Sequence, residues 1–211
     1  MEEVRANAKG AWGFSDTISR ILDVALQEFG TKGFASTSTN EIAKKAGVSK
    51  QLLYHYFDGK RDLYALVLSY LAEELYTAQL AVDFEGLPAL EAIKQSFLVI
   101  YDIFESNELA VTITIDQALH RGAHIRKDVR AKKLRAELMR RLSVAVQKGQ
   151  QAGEVSDRVD AVSIHIMATL LVVGRFSLWP MLKFYMGSHE LVDDGASKET
   201  MAEFYMRAIR P

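Results

Sequence analysis

Apolar residues recur at three- and four-residue spacing along most of the chain, and each such run reads as one amphipathic helix. Ile18, Ile21, Leu22, Ala25 and Phe29 form the first stripe, over 16–29. Ser15 or Asp16 can cap its start, and Gly30 and Gly33 mark its end. A short helix over 38–45 follows, with Ile42 and Ala43 inward and Thr37 placed to cap it. Gly47 stands where the chain must turn sharply, since glycine reaches positive φ without a Cβ clash. Ser49 can then cap a second short helix, 50–56, in which Leu53, Tyr56 and Phe57 share the inward side at i, i+3 and i+4. A long helix over 60–82 carries Leu63, Leu66, Val67, Tyr70 and Leu71 on one face.

Past the break DFEGLP, Pro88 suits the first turn of a helix over 88–105. Leu90, Ile93, Phe97, Leu98, Ile100, Tyr101 and Phe104 surround it almost completely, so it should be deeply buried. The run VTITI, inside 108–119, is β-branched and alternating and reads locally as a strand. A lone strand in a helical domain would leave its backbone groups unpaired, so a helix is expected there too. A seventh helix spans 125–152. An eighth, apolar almost throughout, spans 157–185 and should be kinked or split by Pro180. A polar loop over 187–197 leads to a last helix, 198–209.

The expected fold class is therefore all-α: an N-terminal three-helix unit with a helix-turn-helix, and a larger C-terminal helical domain. The boundary falls inside the fourth helix, giving domains 1–65 and 66–211. No flexible linker separates them, so coupling between them should be mechanical. A length of 211 residues, 49% of them hydrophobic, allows a sizeable core, and a net charge of −1 argues against a protein that coats nucleic acid along its whole length. The absence of cysteine removes disulfides, thiol nucleophiles and thiolate metal sites. The start, MEEVRANAKG, lacks an apolar signal core, which points to a cytoplasmic protein. His165, Gly174 and Arg175 interrupt the apolar eighth helix, so no membrane span is expected. Residues 1–14 read as a flexible arm with Arg5 and Lys9, in which Trp12 and Phe14 can lie against the first helix.

The two short helices and their glycine turn make a helix-turn-helix, whose second helix lies in the DNA major groove. Its outward positions are Lys50, Gln51, Tyr54 and His55, with Leu52 at the border. Lys50 and the Tyr54 hydroxyl suit phosphates, Gln51 can pair with adenine, and Leu52 can touch a thymine methyl. Lys60, just after the helix, can approach the DNA backbone.

The run Glu41-Ile42-Ala43, Ala46-Gly47-Val48-Ser49-Lys50, Leu53-Tyr54-His55-Tyr56-Phe57, Lys60 and Leu63 closely resembles the DNA-binding domain of TetR-family transcriptional regulators. The resemblance extends upstream through Arg20-Ile21-Leu22, Ala25, Phe29, Gly33 and Thr37, covering roughly 15–65. It implies a helical homodimer that binds palindromic double-stranded operator DNA, most often as a repressor, and releases it when a small organic effector enters the C-terminal domain. Matched onto this chain, the family's DNA contacts fall on Thr37, Ser38, Thr39, Lys50, Tyr54, His55 and Lys60. Gln51 and Leu52 replace the small residues common there, and Gly59 replaces a polar cap, which leaves the operator sequence open.

No catalytic constellation or phosphate-cradling loop stands out, so no enzyme activity and no cofactor is expected. His120 and His124 have i, i+4 metal-gripping spacing, but no third ligand follows and no metal site is expected. The basic stretch from Arg126 to Arg141 alternates with Val129, Leu134, Leu138 and Leu142 and reads as the solvated side of a core helix. In the C-terminal part, Phe97, Tyr101 and Phe104 can line a pocket with Asp116, His165 and Arg175 as polar anchors. The eighth and last helices should pair with their copies in a dimer, helped by Ala161, Ala168 and Gly174. A hidden enzyme and a helical adaptor are the rival classes; neither predicts salt-dependent DNA affinity.

Overall fold

The first stripe forms α1, Asp16–Ser36, which Ser15 opens by accepting the Ile18 N–H at 3.4 Å. Eight further helices follow among the described residues: α2 (Thr39–Lys45), α3 (Lys50–Tyr56), α4 (Lys60–Leu80), α5 (Ala89–Glu105), α6 (Glu108–Leu119), α7 (Val129–Gln151), α8 (Ala161–Met186) and α9 (Lys198–Ala208). The structure, a computed structural model, describes residues 13–124, 129–186 and 197–211. The arm with Arg5, Lys9 and Trp12, the start of the seventh helix with Arg126 and Lys127, and the loop over 187–196 lie outside the described residues.

The chain forms two compact units: residues 1–74 with 107–132, and residues 75–106 with 133–211. The division thus falls later in α4 than the expected residue 65, and α6 belongs with the N-terminal helices. The apolar stripe read from Leu63 to Leu71 stops short of that place, where the buried pair Glu73 and Glu74 stands.

In the first unit, Ile21, Leu22, Ala25 and Phe29 of α1 meet Ile42, Ala43, Leu53, Phe57, Leu63, Tyr64 and Val67 in one core. Of the two glycines expected to mark the end of α1, only Gly33 does so. Gly30 stays helical and buried, with Leu109 of α6 close above it. The break comes at Gly33, whose φ of 73° and ψ of 169° interrupt the helix before one more turn. Thr37 is not the cap of α2. Its hydroxyl donates to the Gly33 carbonyl at 2.8 Å and the Glu28 carbonyl at 3.0 Å, closing the end of α1, while Ser38 takes the cap position.

The run VTITI is helical, as the pairing argument required. Val111 and Ile113 are buried, and Thr112 and Thr114 donate to the carbonyls of Glu108 and Ala110 four residues back. Asn107 caps α6 by accepting the Ala110 N–H at 3.2 Å. At the other end of α6, Asp116 accepts from the Tyr64 hydroxyl at 2.7 Å and the Phe34 N–H at 3.4 Å. His124 then lies buried against Phe34, ring centroids 4.1 Å apart, and edge-on to Tyr64 at 5.6 Å. Burial holds its pKa below the ordinary 6.5; His120 and Arg61 act in the same direction and Asp116 opposes them. A base with a depressed folded pKa binds fewer protons folded than unfolded. Its stabilising contribution is therefore whole above pH 6.5 and falls as pH drops below that value. His124→Phe should keep the ring packing and flatten the decline of the unfolding midpoint just below pH 6.5, measured by circular dichroism. An unchanged pH profile would show that His124 stays protonation-neutral to folding.

In the second unit, α5 buries Ile93, Phe97, Ile100, Tyr101 and Phe104. Leu138, Leu142, Ala145 and Val146 face inward on α7, and Ala202, Tyr205 and Met206 on α9. α8 begins at Ala161 rather than 157, because Asp160 accepts the Ser163 N–H at 2.7 Å and caps it there. It continues through Pro180 to Met186 without splitting. Pro180 is exposed, so the carbonyl that loses its helical donor can turn to water. Ala161, Ile164, Ala168 and Val172 form its buried stripe, and the Tyr205 hydroxyl ties α9 to it through the Ile164 carbonyl at 3.0 Å.

Candidate nucleic-acid interface

α2 and α3 are joined by a turn with two defining bonds: Val48 N–H to the Ala43 carbonyl at 3.0 Å, and Gly47 N–H to the Lys44 carbonyl at 3.2 Å. This six-to-one and five-to-two pair closes a helix when the following residue has positive φ, and Gly47 stands at +67°. Ser49 caps α3 by accepting the Leu52 N–H at 3.0 Å. Leu53 is fully buried and Phe57 nearly so, which anchors α3 by one side only.

The other side is open. Lys50, Gln51, Tyr54 and His55 are exposed and Leu52 is half-buried, as the spacing implied. Tyr56 departs from expectation. It is 39% exposed and stands edge-to-face with His55 at 5.3 Å, so it widens the outward surface instead of filling the core. Leu53 and Phe57 already supply the inward side of so short a helix, and the turn at Phe57 rotates Tyr56 away. The hydroxyls of Thr39 and Tyr54 lie 3.1 Å apart, joining the start of α2 to the middle of α3. The Lys50 ammonium lies 5.8 Å from the centre of the Tyr54 ring. One amine, three hydroxyls, one amide and one imidazole thus share this surface, from Lys50, Thr39, Tyr54, Tyr56, Gln51 and His55. The nearby Glu41 is held at 2.8 Å by Lys32.

Below this surface, buried Glu28 binds Lys32 at 2.7 Å and also Lys45, tying α1 to α2. Hydrogen bonds from Lys32 and then Lys45 hold its carboxyl below the usual range, against the cost of burial. Sequence reading passed over Glu28, although an acidic residue one position before Phe29 on the core stripe was a visible signal.

Two of the expected DNA contacts sit differently. Thr37 is only 4% exposed, with its hydroxyl spent on the two carbonyls of α1. Lys60 folds over the Phe34 ring at 4.7 Å and donates to the Ala35 carbonyl at 2.9 Å. Ser38 and Thr39 are half-buried at the mouth of α2.

The expected effector residues do not form one group. Asp116 belongs to the first unit, where Tyr64 and Phe34 hold it, whereas the C-terminal aromatics belong to the second. In the second unit, Phe97 stacks on Tyr205 at 4.7 Å and Tyr101 meets Phe176 edge-on at 5.1 Å. Burial pushes the Tyr101 hydroxyl pKa upward, with Arg175 opposing it. Arg175 itself lies over Phe176 at 5.5 Å and Trp179 at 5.1 Å. Phe104 is buried. His165 is half-buried beside Tyr76, with ring centroids 6.4 Å apart. The aromatic positions chosen from sequence are thus largely filled by the chain's own rings.

Comparison with known proteins agrees with this architecture. Residues 21–67 match the family described as "Bacterial regulatory proteins, tetR family", and residues 90–209 match "Tetracyclin repressor-like, C-terminal domain". The transcriptional repressor NicS of Pseudomonas putida is 24% identical over 155 residues, covering 74% of this chain and 73% of NicS. The regulator RutR of Escherichia coli is 36% identical over 92 residues, 44% of this chain and 43% of RutR. Among solved structures, a tetR-family regulatory protein from Rhodococcus RHA1 superposes with a TM-score of 0.71 at 18% identity, covering 93% of this chain and 98% of that one. Helix-turn-helix, outward polar face and a second helical domain matched over most of its length leave one assignment: the chain belongs to the TetR family of transcriptional regulators.

Proposed function

We propose that this protein is a cytoplasmic, dimeric repressor that reads a palindromic operator with α3 and leaves it when a small organic effector occupies the C-terminal part of the chain. The outward face of α3 carries the reading. Lys50 and the paired hydroxyls of Thr39 and Tyr54 suit phosphate oxygens, while Gln51 and Leu52 stand where base edges would lie. Ser38, His55 and Tyr56 border the same surface. Thr37 acts indirectly, by holding the end of α1 beneath Ser38 and Thr39. Lys60 reaches a phosphate only by leaving the Ala35 carbonyl. Among the named relatives, NicS is a repressor, which sets the sign proposed here.

The test is selection of bound duplexes from a random library, followed by anisotropy titrations at several salt concentrations. Two inverted half-sites should emerge, with centres about 10 base pairs or a multiple apart. Lys50→Ala should lower affinity for all sequences and reduce the log–log salt slope by about one. Tyr54→Phe, which removes only a hydroxyl, should cost about 0.5–1.5 kcal/mol. Gln51→Ala should relax preference at one base pair, by about 1–3 kcal/mol there. Unchanged affinity in all three variants would show that α3 is not the reader.

A further inference from the structure

Within the second unit, the inward side of α4 carries polar groups where a helical core ordinarily has none. Gln79 is 0% exposed. Its Oε1 accepts from the Ser96 hydroxyl at 3.1 Å, and its Nε2 has no hydrogen-bond partner. Ser96 is itself buried. Tyr76 precedes Gln79 by three residues and so shares its face of α4. The ring of His165, on α8, lies against Tyr76, and its Nδ1 is also buried and without a partner. A buried polar atom without a protein partner is costly, and natural cores seldom keep one without a use. Here two such atoms come from neighbouring helices around a single tyrosine. Gln79 and Ser96 are fully covered, whereas Tyr76 and His165 each reach solvent in part. The partly exposed ring pair and the covered amide–hydroxyl pair thus meet through one face of α4. Ile93 and Phe97, beside Ser96 on α5, and Ala168, beside His165 on α8, are apolar neighbours, and exposed Arg135 of α7 meets the Tyr76 hydroxyl.

We propose that Gln79, Ser96, Tyr76 and His165 form the effector site, and that the effector is a neutral, mainly apolar molecule bound through a carbonyl oxygen. The proposal rests on the ligand-release reading above and gives it a place and a chemistry. A carbonyl oxygen has two lone pairs, so it can accept from Gln79 Nε2 and from His165 Nδ1 in its N–H tautomer together. Burial lowers the His165 pKa, which keeps the imidazole uncharged at neutral pH. A carboxylate would bring a full charge against an amide and a hydroxyl, whereas the cation beside this group, exposed Arg135, is engaged at the Tyr76 hydroxyl. The aromatic cluster around Tyr101 offers no equivalent, because its rings pair with one another.

The experiment compares the full-length wild type with Gln79→Leu, using 2-octanone and octanamide as probes and octanoate and octylamine as charged controls. Leucine fills much of the glutamine volume and leaves no unpaired amide. The freed Ser96 hydroxyl can turn to the carbonyl of Ala92 on its own helix. If the amide serves a ligand and not the fold, Gln79→Leu raises the thermal midpoint of the unliganded protein by about 2–4 °C. The midpoint shift that 2-octanone or octanamide gives the wild type should then vanish in the variant, and in His165→Phe it should shrink. A lowered midpoint in unliganded Gln79→Leu, or a probe shift that survives it, overturns the site. No shift in wild type by either carbonyl probe, or an equal one by octanoate, overturns the ligand class. A carbonyl probe that binds through Gln79 but leaves operator affinity unchanged would support the site while refuting ligand release.

Discussion

Leu170→Glu should abolish tight operator binding while leaving the folded subunit intact. Leu170 is 61% exposed on α8, in a row with Met167, Gly174, Leu178, Met181 and Tyr185 at three- and four-residue steps. This outward stripe is distinct from the inward one of Ala161, Ile164, Ala168 and Val172, and the two together explain why the helix is apolar on all sides. By length and composition α8 could also cross a membrane. Its inward stripe nevertheless belongs to a packed helical unit, and the outward stripe has the repeat by which helices pair. A Cβ built on Gly174 would meet nothing within 4 Å, so a second helix can approach closely there. Phe204 of α9 is a further large apolar group left in water, 63% exposed. Exposed apolar rows of this kind mark protein–protein contact, and a second copy of the chain supplies a matching row by symmetry.

The size of the effect follows from pairing. In a dimer, binding of the second half-site is intramolecular, with an effective concentration near the millimolar range, which raises affinity by roughly 10²–10⁴. A glutamate at position 170 occurs once on each subunit, so it places two like charges in one apolar seam, each without a partner. Sedimentation should show monomers at micromolar concentration, and anisotropy should show operator affinity lowered by at least about 10²-fold. Circular dichroism and the monomer's midpoint should stay close to wild type, because an exposed side chain has been exchanged for a soluble one. A dimer of ordinary affinity in Leu170→Glu would mean that α8 is not the seam.

The parts of the fold that were legible in the sequence are those in which one helix carries one stripe. Ile21, Leu22, Ala25 and Phe29 announced α1, and Leu53 with Phe57 announced the anchored side of α3. The turn was legible because its glycine answers a backbone requirement and not a packing one. Where several neighbours compete for one residue, local spacing could not decide. Thr37 stands where a cap is expected, yet the Glu28 and Gly33 carbonyls claim its hydroxyl first. Asp116 looked like an anchor in an apolar stretch, and the residues that hold it, Phe34 and Tyr64, are 82 and 52 positions away. Gln79 and Ser96 were passed over because each is a single polar residue on a helix of mixed character. Only their meeting at 3.1 Å gives them meaning.

Gly30→Ala should destabilise the first unit, against the usual effect of that exchange in a helix. In an exposed helix interior alanine is more favourable than glycine by about 1 kcal/mol. At Gly30 a Cβ would stand 2.7 Å from Leu109 Cδ2, 2.8 Å from its Cβ and 3.2 Å from its Cα. The Cδ2 methyl could swing aside by a rotamer change, but Cβ and Cα move only with the backbone of α6. Overpacking of this kind costs about 1–3 kcal/mol, so the clash outweighs the propensity gain and a net loss of about 1–2 kcal/mol is expected. The remedy identifies the cause. Leu109→Gly, which removes the obstructing Cβ, loses apolar packing and should also destabilise by itself, because Leu109 borders the core of this unit. The double variant should be more stable than the two single losses sum to, since the alanine at 30 occupies part of the space that Leu109 vacates. A favourable coupling of about 0.5–3 kcal/mol in urea unfolding would establish direct contact. The same contact seats α6 on α1, the helix that underlies the reading surface, so Gly30→Ala should also weaken operator binding, and Leu109→Gly should recover part of that loss. Additive unfolding energies, or a Gly30→Ala protein more stable than wild type, would show that α6 yields freely and that the close approach at Gly30 does not position it.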